Sequence, residues 1–103
     1  MPLTCCGDRM IELVANTTDA AEEKHVPVVT RLSNCTYLIK VGSVKHPMLP
    51  EHHIEFVYVE TPDGGMRFDV KDVPEVEFCI YKGKPTAVYE YCNLHGLWKA
   101  IVE

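Results

Sequence analysis

The chain has 103 residues, 47% hydrophobic and 24% charged, the composition of a single globular domain large enough to bury a core without disulfide staples. A formal net charge of −5 argues against a nucleic-acid partner, which needs a basic face. No apolar run reaches about 18 residues, and residues 1–8 lack a charged leader followed by an apolar stretch, so neither a membrane role nor secretion is expected.

In chain order, the first predicted element is a single helical turn over residues 19–23, too short to be stable alone. Strands follow. Residues 26–33 and 36–43 flank a break at Asn34 and Cys35, and in the second of them Tyr37, Ile39 and Val41 alternate with Leu38 and Lys40. Residues 54–61 are apolar on both faces, as expected of a central strand. Pro62, Asp63, Gly64 and Gly65 form a strong turn signal. In residues 66–71, Met66, Phe68 and Val70 alternate with Arg67, Asp69 and Lys71; in residues 76–81, Val76, Phe78 and Ile80 share one side. Lys82, Gly83, Lys84 and Pro85 turn the chain into residues 86–92, and residues 97–102 supply a last strand. About seven short strands at this spacing predict an all-β fold, an immunoglobulin-like antiparallel β-sandwich.

Five cysteines, an odd number, fit a reducing compartment better than a disulfide framework, so the expected location is cytoplasmic and some thiols are expected to be ligands or redox groups. Asn16-Thr17-Thr18 and Asn34-Cys35-Thr36 match the glycosylation pattern and are read as accidents. Cys79, between Phe78 and Ile80, reads as a buried apolar side chain.

All five histidines, His25, His46, His52, His53 and His95, fall in connections or at strand edges. Any one of them alone is best read as a solvated loop histidine. As a set they differ, because the loops at one end of a sandwich converge and bring distant residues together. Cys92 and His95 add a thiol and an imidazole three residues apart, close enough to share an ion if the chain turns. Zinc sites normally close at four ligands. Four imidazoles and a thiolate are five donors, a number that suits iron with one position left open, although by composition alone iron is one choice among several.

Three segments occur in order along the chain: Glu23-Lys24-His25-Val26-Pro27, then His46-Pro47-Met48 followed by His52, then Cys92-Asn93-Leu94-His95-Gly96-Leu97-Trp98. They resemble the E-K-H-x-P, H-P-M-x-x-x-H and C-N-x-H-G-x-W signatures of the superoxide reductases, the desulfoferrodoxin and neelaredoxin family. The resemblance runs from about residue 3 to the C-terminus and implies the same sandwich. It implies one mononuclear non-haem iron, cycling between Fe2+ and Fe3+, with His25, His46, His52 and His95 as equatorial nitrogens and Cys92 as the axial sulfur. The implied reaction is one-electron reduction of superoxide to hydrogen peroxide. Glu23 would occupy the sixth position of the oxidised iron and Lys24 would steer superoxide. A rubredoxin-like electron donor and a homo-oligomer, dimer or tetramer, are implied as well.

The motif spacing selects His52, and adjacent residues on an extended chain point to opposite sides, so His53 is expected to face solvent or support the site from outside. At −5 the whole protein repels an anion, but salt screens charges beyond about 8–10 Å. Lys24, helped by Lys45 or Lys99, is therefore expected to give a locally positive entrance. Residues 3–10 resemble the end of a desulforedoxin-like domain, in which Cys5 and Cys6 match the second cysteine pair and the first pair has no counterpart. Two thiolates cannot complete a four-sulfur site, so residues 1–22 are expected to be an N-terminal segment carrying a remnant, and residues 23–103 the iron-binding sandwich. Two competing readings are an immunoglobulin-like module with a structural metal or none, and a superoxide dismutase, which would release oxygen as well as peroxide.

Overall fold

A computed structural model describes residues 4–5, 8–10, 12–16, 22–80 and 83–102 of the chain. Strands β1 (Thr4–Cys5) and β2 (Asp8–Arg9) form a two-residue antiparallel ladder. One helical turn, α1 (Glu22–His25), precedes seven longer strands: β3 (Pro27–Arg31), β4 (Thr36–Val41), β5 (Ile54–Thr61), β6 (Gly64–Asp69), β7 (Glu75–Cys79), β8 (Ala87–Cys92) and β9 (Gly96–Ile101). They build two antiparallel sheets, one in the order β3-β4-β7 and one in the order β6-β5-β8-β9. This is the all-β sandwich anticipated from the alternating pattern, with each of the seven expected strands in place. The expected helical turn falls at residues 22–25, and residues 19–21 of that expectation lie outside the described residues. Among the described residues, no helix is long and apolar enough to cross a membrane.

Alternation sends every second side chain into the space between the sheets. Tyr37, Ile39 and Val41 enter from β4, Val57 and Val59 from β5, and Val88 and Cys92 from β8. Phe78 stacks on Tyr37 within its own sheet at 5.9 Å and on Phe68 of the facing sheet at 5.4 Å, tying the two layers together.

Two expectations need correction. Strand β5 is central in its sheet, but its outer face is not covered: Phe56 is half-buried and Tyr58 is 37% exposed. A β-bulge between Ile54 and Phe56 shifts the register, so that Ile54 and Val57 both point inward although three residues apart. The apolar run reflects that change of parity together with an aromatic outer surface. Cys79 is exposed, not buried. Phe78 and Ile80 on either side of it take the inward positions, and alternation places the residue between them outside.

The N-terminal approach protects a sheet edge. Asn16, at φ 61°, donates its backbone N–H to the Leu97 carbonyl at 2.9 Å. Its side chain accepts from the Lys99 N–H at 2.9 Å and donates to the Lys99 carbonyl at 3.2 Å. The side-chain amide thus stands in for a neighbouring strand along the free edge of β9.

Candidate metal centre

Three connections meet at one end of the sandwich: the entry to β3, the β4–β5 connection over residues 42–53, and the β8–β9 turn over residues 93–95. The helical turn stops at His25 because the next residue, Val26, precedes a proline and is steered into extended backbone. Pro27 then opens edge strand β3, where its missing N–H costs little, and pairs with Val41 at the end of β4. That register sets His25 beside the segment carrying His46, whose N–H turns back toward the Val41 carbonyl at 3.4 Å.

Leu49 and His52 exchange two backbone hydrogen bonds, of 2.8 and 3.1 Å, around Pro50 and Glu51. Proline at the second position of this tight turn pre-sets the backbone. Cys92 ends β8 opposite Ile54 and Gly96, and Gly96, at φ 80°, provides the left-handed residue that closes the turn holding His95.

The four imidazoles form a closed ring. His25 meets His46 and His95 edge to face at centroid distances of 4.7 and 4.8 Å, and His52 meets the same two at 4.7 and 5.0 Å. His25 and His52 are therefore opposite corners of a square, as are His46 and His95. His25 Nε2 lies 3.1 Å from His46 Nε2 and 3.1 Å from His95 Nδ1. The Cys92 sulfur lies 3.5 Å from His46 Nε2 and 3.8 Å from His95 Nδ1. Near-equal distances to these two opposite corners place the sulfur near the plane midway between them. One donor atom from each of the five residues falls within 4.8 Å of all the others.

These dimensions fit a metal ion. Two nitrogens bound at right angles, each at about 2.1 Å from a metal, are about 3.0 Å apart, close to the 3.1 Å found between neighbouring corners. His52 Nε2 is buried without a hydrogen-bond partner, which costs free energy unless the lone pair is used. Five donors gathered at one point exceed the tetrahedral habit of zinc and suit iron.

Neighbouring groups prepare each donor. His46 donates Nδ1–H to the Pro47 carbonyl at 2.7 Å, which leaves Nε2 as the lone-pair nitrogen facing the cluster. Burial first, then the Coulombic effect of the other histidines, lowers the His46 pKa to about 4 against the upward pull of the Pro47 hydrogen bond, so the ring is neutral near pH 7. Burial, with His95 and Lys24, lowers that of His52 as well. Burial pushes the Cys92 thiol up, against the opposing pull of hydrogen bonds from the Leu94 and His95 amides. His25 and His46 are 1% and 0% exposed and Cys92 is 0% exposed, whereas His52 and His95 are half-buried, so the square opens toward solvent on their side. The His25 ring stacks on buried Trp98 at 4.9 Å, and the Trp98 indole N–H donates to the His95 carbonyl at 3.1 Å.

The fifth histidine stands where the motif spacing leaves it. His53 lies outside the cluster: its Nδ1 bonds the Leu49 carbonyl at 2.8 Å and its Nε2 lies 3.7 Å from Glu55. Lys24 is exposed on the helical turn next to His25, and Lys45 is exposed next to His46. Lys99 holds its ammonium 5.2 Å from the Tyr89 ring centroid, on the outer face of the four-stranded sheet. For Glu23 the backbone lies in α1, and its side chain lies outside what is described, as do those of Cys5 and Cys6.

Two residues escaped the reading of the sequence. Asn93 clasps the loops together: its Oδ1 accepts from the His53 N–H at 2.8 Å and its Nδ2 donates to the Glu51 carbonyl at 3.1 Å. Glu90 is wholly buried with both carboxylate oxygens unpartnered, and burial pushes its pKa up to about 9. Its place in the inward series Val88, Glu90, Cys92 was visible in the alternation, had the series been followed through a charged residue.

Residues 17–101 match the family model described as Desulfoferrodoxin. The chain is 46% identical over 100 residues to the desulfoferrodoxin of Nitratidesulfovibrio vulgaris, covering 95% of this chain and 78% of that one. The crystal structure of the superoxide reductase from Treponema pallidum superposes with a TM-score of 0.90 at 37% identity, covering 97% of this chain and 84% of that one. The superoxide reductase (1Fe-SOR) from Giardia intestinalis superposes with a TM-score of 0.61 at 28% identity, covering 79% and 98% of the two chains.

Proposed function

Because this chain belongs to the desulfoferrodoxin family, we propose that it is a superoxide reductase, converting superoxide with one electron and two protons into hydrogen peroxide without releasing oxygen. The observation that carries the reading is the square of imidazoles with a thiol sulfur against it, five donor atoms within 4.8 Å of one another. Iron held there by the four imidazoles and the thiolate would supply the electron.

The chain's own residues do the rest. His25, His46, His52 and His95 present four nitrogens, three as Nε2 and His95 as Nδ1. Neutral rings at His46 and His52 mean that no proton competes for those lone pairs at neutral pH. Cys92 must lose its proton to serve, and the Leu94 and His95 amides are placed to stabilise the resulting anion. Lys24 stands exposed at the site and its charge is felt at His52, which supports its role in drawing the anionic substrate inward. We assign Glu23 to the sixth position of the oxidised centre and a rubredoxin-like protein to re-reduction, in a dimeric or tetrameric assembly. Residues 1–22 we read as an N-terminal segment carrying a remnant of a desulforedoxin-like domain, ahead of the sandwich. The free thiols of Cys35, Cys79 and Cys92 support a cytoplasmic setting.

The test is product stoichiometry. With the iron-loaded, pre-reduced protein, superoxide should yield an equal amount of peroxide and no oxygen. Oxygen release would mark a dismutase, and an unchanged rate of superoxide decay would leave only a structural metal.

A further inference from the structure

Two thiols lie at the end of the sandwich opposite the histidine cluster. Cys35 closes the β3–β4 connection one residue before β4, and Cys79 ends β7. The register pairs Thr36 with Cys79, and the Ile80 N–H donates to the Cys35 carbonyl at 2.8 Å, so the two cysteines are diagonal neighbours on paired strands. A strand separation of about 5 Å combined with a rise of about 3.4 Å puts their Cα atoms about 6 Å apart, within the Cα range found in disulfides. Each side chain is the largest influence on the titration of the other.

Their surroundings differ. Cys35 is half-buried among donors: the Cys79 thiol, the Thr36 hydroxyl at 3.8 Å and the Ser33 hydroxyl. The Arg31 guanidinium grips the same turn, donating to the Ser33 carbonyl at 3.0 Å and to the Asn34 carbonyl at 3.3 Å. The Cys79 hydrogen bond, then Thr36, lowers the Cys35 pKa below the usual thiol value, while Cys35 in turn raises that of exposed Cys79. Cys35 is thus the more acidic thiol and Cys79 the less acidic, the order expected of an attacking and a resolving cysteine.

We propose that Cys35 and Cys79 form a second redox site, a dithiol that reduces hydrogen peroxide. The Cys35 sulfur attacks one peroxide oxygen, the O–O bond breaks, and hydroxide leaves and takes up a proton to become water, leaving Cys35 as a sulfenic acid. The Cys79 sulfur gives up its proton and attacks the Cys35 sulfur; the S–S bond forms as the S–O bond breaks, and a second water leaves. Two thiols have lost two electrons and one peroxide has become two waters. An external dithiol restores the pair by thiol–disulfide exchange. Only the source of the peroxide rests on the superoxide reductase reading.

The test uses the iron-loaded protein, exposed to one equivalent of hydrogen peroxide without oxygen, then alkylated and mapped by peptide mass. A disulfide joining Cys35 to Cys79 within one chain, reversed by dithiothreitol, is expected. Cys79→Ser should leave a dimedone-trappable sulfenic acid at Cys35, and Cys35→Ser should leave Cys79 a free thiol. Both variants should reduce superoxide at the parent rate. Free thiols at both positions after peroxide, or a disulfide between chains, would overturn the proposal even with superoxide reduction intact. Disulfide formation in a protein that fails to reduce superoxide would count only against the assignment of the metal centre.

Discussion

Replacing Asn93 by alanine tests whether the protein itself, rather than the metal, holds the ligand loops in register. Asn93 follows Cys92 directly and precedes His95 by two residues, while its side chain grips the residues on either side of His52. The alanine variant loses one acceptor for the His53 N–H and one donor to the Glu51 carbonyl. At a net value of about 1 kcal/mol for each hydrogen bond, about 2 kcal/mol of preorganisation disappears, equivalent to a fall in metal affinity of about 30-fold. That lies within the roughly 10- to 100-fold loss usual when groups supporting metal ligands are removed. Asn93→Asp keeps the acceptor and loses the donor, so a fall of about 5-fold is expected from the missing bond. The assay is competition for iron against a chelator, followed by the visible absorption of the oxidised centre. An Asn93→Ala protein that held iron as tightly as the parent would show that His52 reaches the square without the clasp.

Cys92→Ser should abolish the thiolate-to-iron absorption together with activity; survival of that band would remove the sulfur from the axial position. Lys24→Ala should slow the superoxide reaction, by up to about 10-fold or more at low salt, and flatten its dependence on ionic strength; pulse radiolysis showing an unchanged rate would end the steering role. Glu23→Ala should leave reduction largely intact and shift the spectrum of the oxidised protein, and an unaltered spectrum would exclude it as a sixth ligand. Burial holds the Glu90 carboxyl up to about 9 from an ordinary 4.5, so the carboxyl is protonated in the fold and ionised in the unfolded chain across neutral pH. Its contribution is complete below about pH 4.5 and is lost as pH rises toward about 9. In the metal-free protein Glu90→Gln should therefore flatten the fall of melting temperature with pH and add on the order of 3 kcal/mol at pH 7; parallel curves for the two proteins would refute it.

The seven strands were legible because alternation is a local property, written into neighbouring residues such as Tyr37, Ile39 and Val41 or Met66, Phe68 and Val70. The five candidate ligands were legible as residue types in motifs beside prolines and a glycine that direct the chain. Cys79 was misjudged because its apolar neighbours were read as company on one face, when alternation puts them on the other. Asn93 stood inside a quoted motif, yet its partners, the backbones of Glu51 and His53, are some 40 positions away and leave no mark on the sequence around it.

Residue order was thus enough to specify the sandwich and the chemical identity of the donor set. Packing decided which imidazoles are opposite one another, that His95 turns Nδ1 inward while His46 turns Nε2, that a carboxyl lies sealed on the strand that carries Cys92, and that Cys35 and Cys79 are diagonal neighbours. Each of these depends on register between strands far apart in the chain and on which backbone group takes the second ring nitrogen. Such relations exist only once the sheets have closed, because a periodic pattern states which face a side chain takes but not what it will meet there.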